Sequence, residues 1–107
     1  MRGGLFILVT LLPIEIEGHT VMGVEVKLPK TTLLAVYTSR GYIMCGALDV
    51  GLLNEQLADR KIIAARAVGV RTLEQLLEAP LESVTLEAEK WGIHPGLAGK
   101  DAILRML

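Results

Sequence analysis

Between Leu11 and Gly46 apolar and polar positions alternate with a period of two. Ile14 and Ile16, then Val24, Val26 and Leu28, are interleaved with Glu15, Glu17, Glu25 and Lys27. That spacing sets one face of a strand against a core and the other in solvent. Gly18-His19 marks the turn between the first two strands, and Pro29-Lys30-Thr31-Thr32 ends the second. Leu33-Leu34-Ala35-Val36-Tyr37 has no polar face, which predicts a strand buried on both sides. Arg40-Gly41 then turns the chain into Tyr42-Ile43-Met44-Cys45. Links this short suit hairpins, so the expected product is an antiparallel meander of about four strands.

The period changes at Gly46. Leu48, Leu52, Leu53 and Leu57 fall at helical spacing, with Arg60-Lys61 at the end where cations favour the helix dipole. Ile62 to Val68 reads as a fifth, mostly buried strand broken by one charge, Arg66, so this helix is a crossover. Thr72 and Gln75 form a capping box for a short helix ending near Ala79. Pro80 suits the first position of a second helix, with the stripe Leu81, Val84, Ala88, Trp91 and a stop at Gly92. A last helix is expected over roughly 99–107, burying Ile103, Leu104 and Leu107. The predicted class is α+β: a meander, one crossover to a fifth strand, and three short C-terminal helices packed on the sheet.

Two stretches carry more than pattern: Gly41-Tyr-Ile-Met-Cys-Gly-Ala-Leu-Asp49, and Arg66-Ala-Val-Gly-Val-Arg-Thr72 continuing through Ala79-Pro-Leu-Glu-Ser83. With them the chain resembles the YunC-like family of small bacterial and archaeal proteins, a family of unknown function. The likeness runs from about Pro13 to the C-terminus and includes the Lys27-Leu-Pro-Lys30 and Gly96-Leu-Ala-Gly99 turns. Ala65 stands where the family pattern leads one to expect Gly. The resemblance implies a single α+β domain over residues 11–107, with residues 1–10 as an apolar extension. It implies no activity, cofactor or catalytic residue.

Composition narrows the classes without choosing a substrate. The chain has 107 residues, 51% hydrophobic and 21% charged, with 11 Lys plus Arg against 12 Asp plus Glu. That excludes disorder, a collagen, a disulfide scaffold and nucleic-acid binding driven by bulk charge. Lys27, Lys30 and Arg40 sit at meander turns with few aromatic neighbours, which fits a solvated sheet edge. A lone cysteine, Cys45, suits a reducing cytoplasm. The run Leu5 to Leu12 imitates a signal peptide, but no small-x-small cleavage site follows and it is shorter than the roughly 20 residues that span a bilayer. No membrane partner is therefore expected. An apolar run of this kind needs cover from the fold or from a second copy of the chain, so a homo-oligomer is expected.

Few residues offer chemistry. Cys45 lies where a strand gives way to a helix, and a thiol at a helix N-terminus is a candidate nucleophile or redox group. Its only possible histidine bases are His19 and His94, neither at motif spacing, and a free cysteine is usually a small buried hydrophobe. No metal-ligand spacing occurs, and no cofactor is expected. The Gly99-Lys100 pair is not a phosphate loop, because position 94 is His and Asp101 replaces the hydroxyl residue. The most informative charges are Arg66 and Arg71. A guanidinium in an apolar strand needs a counter-ion, and Arg71 precedes the Thr72 cap, where backbone N–H groups favour anions. One reading gives a small anionic ligand held by Arg66, Arg71 and Thr72. The plainer alternative pairs Arg66 with Asp49 or with a glutamate of the acidic stretch between Glu74 and Glu89. The leading expectation is a self-associating binding or structural module, with a Cys45-dependent enzyme as the competitor.

Overall fold

A computed structural model describes residues 8–107. Its strands are β1 (Leu8–Ile16), β2 (His19–Leu28), β3 (Thr31–Tyr37), β4 (Gly41–Met44), β5 (Ile63–Arg66) and β6 (Ser83–Val84). Its helices are α1 (Val50–Glu55), α2 (Leu73–Glu78), α3 (Leu86–Glu89) and α4 (Gly99–Arg105), with a 3-10 turn at Ala58–Arg60. The fold is α+β. All six strands form one sheet in sequence order, antiparallel except for the parallel pair β4–β5 that the α1 crossover joins.

The turn chemistry fixes the register. Glu17 and Gly18 both have positive φ, so the β1–β2 turn is a two-residue hairpin loop. His19, expected within the turn, instead opens β2 opposite Ile16. Pro29 and Lys30 make the next turn, with Lys30 at φ 65 and Leu28 opposite Thr31. Ile16–His19 is thus the closing hydrogen-bonded pair of its hairpin, and the pattern alternates along β1. Pro13, opposite Met22, then directs its backbone nitrogen to the sheet's free edge, where no N–H is missed. Of the expected extension 1–10, residues 8–10 continue β1 opposite Lys27, Val26 and Glu25, and residues 1–7 lie outside the described residues.

One sheet face carries the main core. Ile16, Val21, Leu34, Val36, Ile43, Ile63 and Ala65 are buried there with Leu76 of α2 and Ala102, Ile103 and Met106 at α4. Helix α2 packs on β2 and β3, and α4 packs on β4 and on α2. Gly99 permits that helix contact, since a Cβ there would collide with the Leu76 carbonyl oxygen. A smaller cluster of Leu48, Val50, Leu53 and Ala64 lies on the opposite face, where α1 meets β5.

Several expectations change. Leu107, expected in the core, is 37% exposed, and Met106 is buried. The segment after Pro80 opens as strand β6 beside β5 and becomes helical only at Leu86, where the Thr85 hydroxyl accepts from the Ala88 amide. Leu81, Val84 and Ala88 are buried all the same, because a strand followed by a turn of helix directs that spacing inward too. Trp91 falls off the stripe and sits 37% exposed, its ring centroid 5.4 Å from the Arg40 guanidinium. The crossover helix is shorter than its leucine spacing implies: Leu48 precedes it, and Lys61 at φ 51 ends the 3-10 turn. Finally, β3 is buried on one side only. Leu34 and Val36 enter the core, whereas Leu33 and Ala35 are half-buried and Tyr37 is exposed.

That last difference extends across the sheet. By register, Leu33 and Ala35 share a face with Val24 and Val26 of β2 and with Val9 and Leu11 of β1. Among the described residues α1 covers this face only toward β5. Val9 is 61% exposed and Leu11 60%. The alternation in β2 therefore has the opposite sense to the usual one. Val24 and Val26 face away from α2, and Glu25 and Lys27 lie on the face that α2 partly covers.

Candidate functional site

Strand β5 ends at Arg66, on the face opposite α2 and α4, level with Met44. Its Nε is buried without a hydrogen-bond partner among the described residues, and the Glu82 carboxylate lies 3.8 Å away. The chain supplies that carboxylate through backbone pairing: the Glu82 amide donates to the Arg66 carbonyl at 2.7 Å. Glu82 also accepts from the Ser83 hydroxyl at 2.6 Å. Asp49, the other expected partner, is occupied as the α1 cap, accepting from the Leu52 amide at 2.9 Å. The Arg66 side chain is 32% exposed and that of Glu82 49%, so Arg66 is less sequestered than an apolar strand suggested. A pair this wet contributes at most about 1 kcal/mol.

Arg71 is not brought to Arg66. It lines a cleft of about 480 Å³ together with Lys30, Thr31, Thr32 and Val70, with no carboxylate in the wall. Thr72 caps α2 as its spacing predicted: its hydroxyl accepts from the Gln75 amide at 3.0 Å. The Gln75 side chain returns to the Arg71 amide at 2.7 Å. These bonds use donors that an anion at the helix start would need, and α2 has only six residues to build a dipole.

Cys45 is buried, and its thiol sulfur accepts a long hydrogen bond from the Leu34 amide at 3.4 Å. The backbone closes the same contact, the Cys45 amide donating to the Leu34 carbonyl at 3.0 Å. Helix α1 begins only at Val50 and packs on the other sheet face, so the thiol does not meet a helix N-terminus. His19 stands at the opposite end of the sheet, and the exposed His94 ring lies 2.9 Å from the Pro95 carbonyl. Among the described residues no three His, Cys, Asp or Glu side chains converge as metal ligands. No described helix is long and apolar enough to cross a membrane.

Two features were not anticipated from the sequence. One is the apolar face of β1–β3. The other is a groove between β1 and α2, floored by Leu12, Ile14, Leu73 and Leu77 and flanked by carboxylates. The signal for the groove is in the chain: on α2, Leu73 and Leu77 recur at i, i+4 and Glu74 and Glu78 recur one step later.

Comparisons with known proteins agree with this architecture. Residues 44–106 match the model of a family described as a domain of unknown function, DUF1805. Over 100 residues the chain is 60% identical to the uncharacterized protein YunC of Bacillus subtilis strain 168, covering 94% of this chain and 99% of that protein. The crystal structure of TA1206, a protein of unknown function from Thermoplasma acidophilum, superposes with a TM-score of 0.84 at 31% identity. It covers 95% of this chain and 96% of that one.

Proposed function

The chain belongs to the YunC-like family that carries DUF1805, and from that premise we propose that it is a self-associating structural or binding module in a reducing cytoplasm, acting as one domain that takes in residues 8–10 as the start of β1. The observation that carries this reading is the apolar face of β1–β3. Val9, Leu11, Val24, Val26, Leu33 and Ala35 line it without an intervening charge. An exposed apolar patch of this kind marks an interface, and fully burying a Val or Leu side chain contributes about 1.5–3 kcal/mol. A second copy presenting the same face is the self-complementary cover, with sheets stacked about 10 Å apart. The lone buried Cys45 supports the reducing compartment. Sedimentation velocity tests the proposal: a concentration-dependent dimer is expected, and Val24→Lys should leave a folded monomer. A wild-type monomer at micromolar concentration refutes it.

A second reading rests on the cleft at Arg71. Two cations, Lys30 and Arg71, and two hydroxyls, Thr31 and Thr32, face one space without an acid among them. This supports a small anion held by charge-assisted hydrogen bonds, with Arg71 at its centre and Arg66 left to Glu82. Titration with inorganic pyrophosphate should raise the melting temperature of the wild type and not that of Arg71→Ala. Equal shifts in both proteins exclude the cleft.

A further inference from the structure

The helices on the core face do not reach the edge of the sheet. Helix α4 lies on β4 and α2 on β2 and β3, so among the described residues β1 has no helix above it beyond the flank of α2. There the surface falls into two adjoining depressions, of about 450 and 420 Å³, which share Ile14, Glu74 and Leu77. Their floor is apolar: Leu12 and Ile14 from β1, Leu73 and Leu77 from α2, and Leu104 from α4. Leu12 is exposed, and the other four are half-buried.

The rim is acidic. Glu17 at the hairpin, Glu74 and Glu78 on α2 and Asp101 on α4 line the first depression, against a single cation among the described residues, Lys100; Glu15 borders it too, but its side chain belongs to the other sheet face, where it accepts from the Thr20 hydroxyl. None of these four carboxylates forms a salt bridge among the described residues. Glu74 and Glu78 are like charges one helical turn apart, an arrangement that weakens an isolated helix. Among the described residues the fold thus collects negative charge around an apolar trough and does not neutralise it.

We propose that this groove docks a basic amphipathic helix of a partner protein, which lies along β1 as a further member of the helical layer beside α2. Apolar side chains at i, i+4 and i+7 of the partner enter the trough between Leu12, Ile14, Leu73 and Leu77. Lysines or arginines on its flanks meet Glu17, Glu74, Glu78 and Asp101. The dimensions suit it: the stretch of β1 that borders the groove, residues 12–17, is roughly 17 Å long, room for about three turns of helix. A second copy of the chain does not fit among the described helices. Helices α1, α2 and α3 contain no cation, and α4 is packed into its own core. The site lies on the face opposite the one proposed for self-association.

The test uses a synthetic helical peptide with leucines at i, i+4 and i+7 and lysines at the flanking positions, titrated into 15N-labelled full-length protein. A control peptide carries glutamates in place of the lysines. The lysine peptide is expected to shift the amides of Leu12, Ile14, Leu73 and Leu77, and to bind at least about tenfold more weakly in high salt. The double variant Glu74→Lys, Glu78→Lys should lose the lysine peptide and gain the glutamate peptide, with an unchanged sedimentation coefficient. Absence of binding, equal binding of both peptides, or shifts centred on Val24 and Val26 each overturn the proposal. A change of oligomeric state in the double variant would instead assign the groove to contacts between copies.

Discussion

Thr85 and Ala64 are joined twice: the Thr85 amide donates to the Ala64 carbonyl at 2.9 Å, and the Ala64 amide donates to the Thr85 hydroxyl at 3.2 Å. That hydroxyl also accepts from the Ala88 amide and donates to the Ile62 carbonyl at 2.7 Å. One side chain, 2% exposed, thus extends the β5–β6 ladder past the two residues of β6 and starts α3. Thr85→Val keeps the shape and strands these partners in the interior. It should cost about 2–4 kcal/mol in urea unfolding, since each unsatisfied buried group costs about 1–3 kcal/mol. Thr72→Ala, at an exposed cap with one such bond, should cost about 1 kcal/mol. Equal losses at the two positions would show that burial does not set the difference.

Two glycine substitutions should differ in sign. Gly99→Ala places a methyl group against the backbone of Leu76 and 3.0 Å from the Ile43 Cδ1 atom, so α2 and α4 must separate. A loss of about 1–3 kcal/mol is expected. Gly51, exposed in α1, meets only the Asp49 carboxylate at 3.4 Å, and Gly51→Ala should stabilise by up to about 1 kcal/mol. Thermal melting of the pair checks both.

Cys45 should react as a core residue. With its side chain buried and its backbone tied to Leu34 by a 3.0 Å bond, alkylation requires local opening of the sheet. Iodoacetamide labelling of the folded protein should run at least about a hundredfold slower than in denaturant. Labelling at the denatured rate would restore the thiol as a functional candidate.

Sequence pattern reached the strands most fully. The alternation at Ile14–Glu17 and the hairpin glycine specify β1 and β2, and the Thr72–Gln75 pattern specifies the start of α2, although the Gln75 side chain accepts from the Arg71 amide and not from that of the cap residue. The pattern falls short where two structures satisfy one spacing. Leu81, Val84 and Ala88 bury equally from a strand and from a helix, and only the hydroxyl of Thr85 decides where the helix begins. It falls short again at β3, where an unbroken apolar run reads the same whether or not its second face meets a helix among the described residues. Arg66 shows a further limit. Pattern predicted a counter-ion, and it took the β5–β6 pairing to select Glu82 over Asp49.

The Arg66–Glu82 pair should contribute little. With both side chains substantially solvated, Glu82→Gln should lower stability by less than about 1 kcal/mol, and high salt should erase the difference. A loss of several kcal/mol, insensitive to salt, would mean that the guanidinium is far drier than its surroundings indicate.

Pro13 bears on how association ends. A long outermost strand is a template on which further chains can polymerise, and a row of donors with a gap at its middle is a poor template. Growth sideways is thereby discouraged while stacking through the apolar face is left free, so the association proposed above would close as a pair and would not run on into a filament.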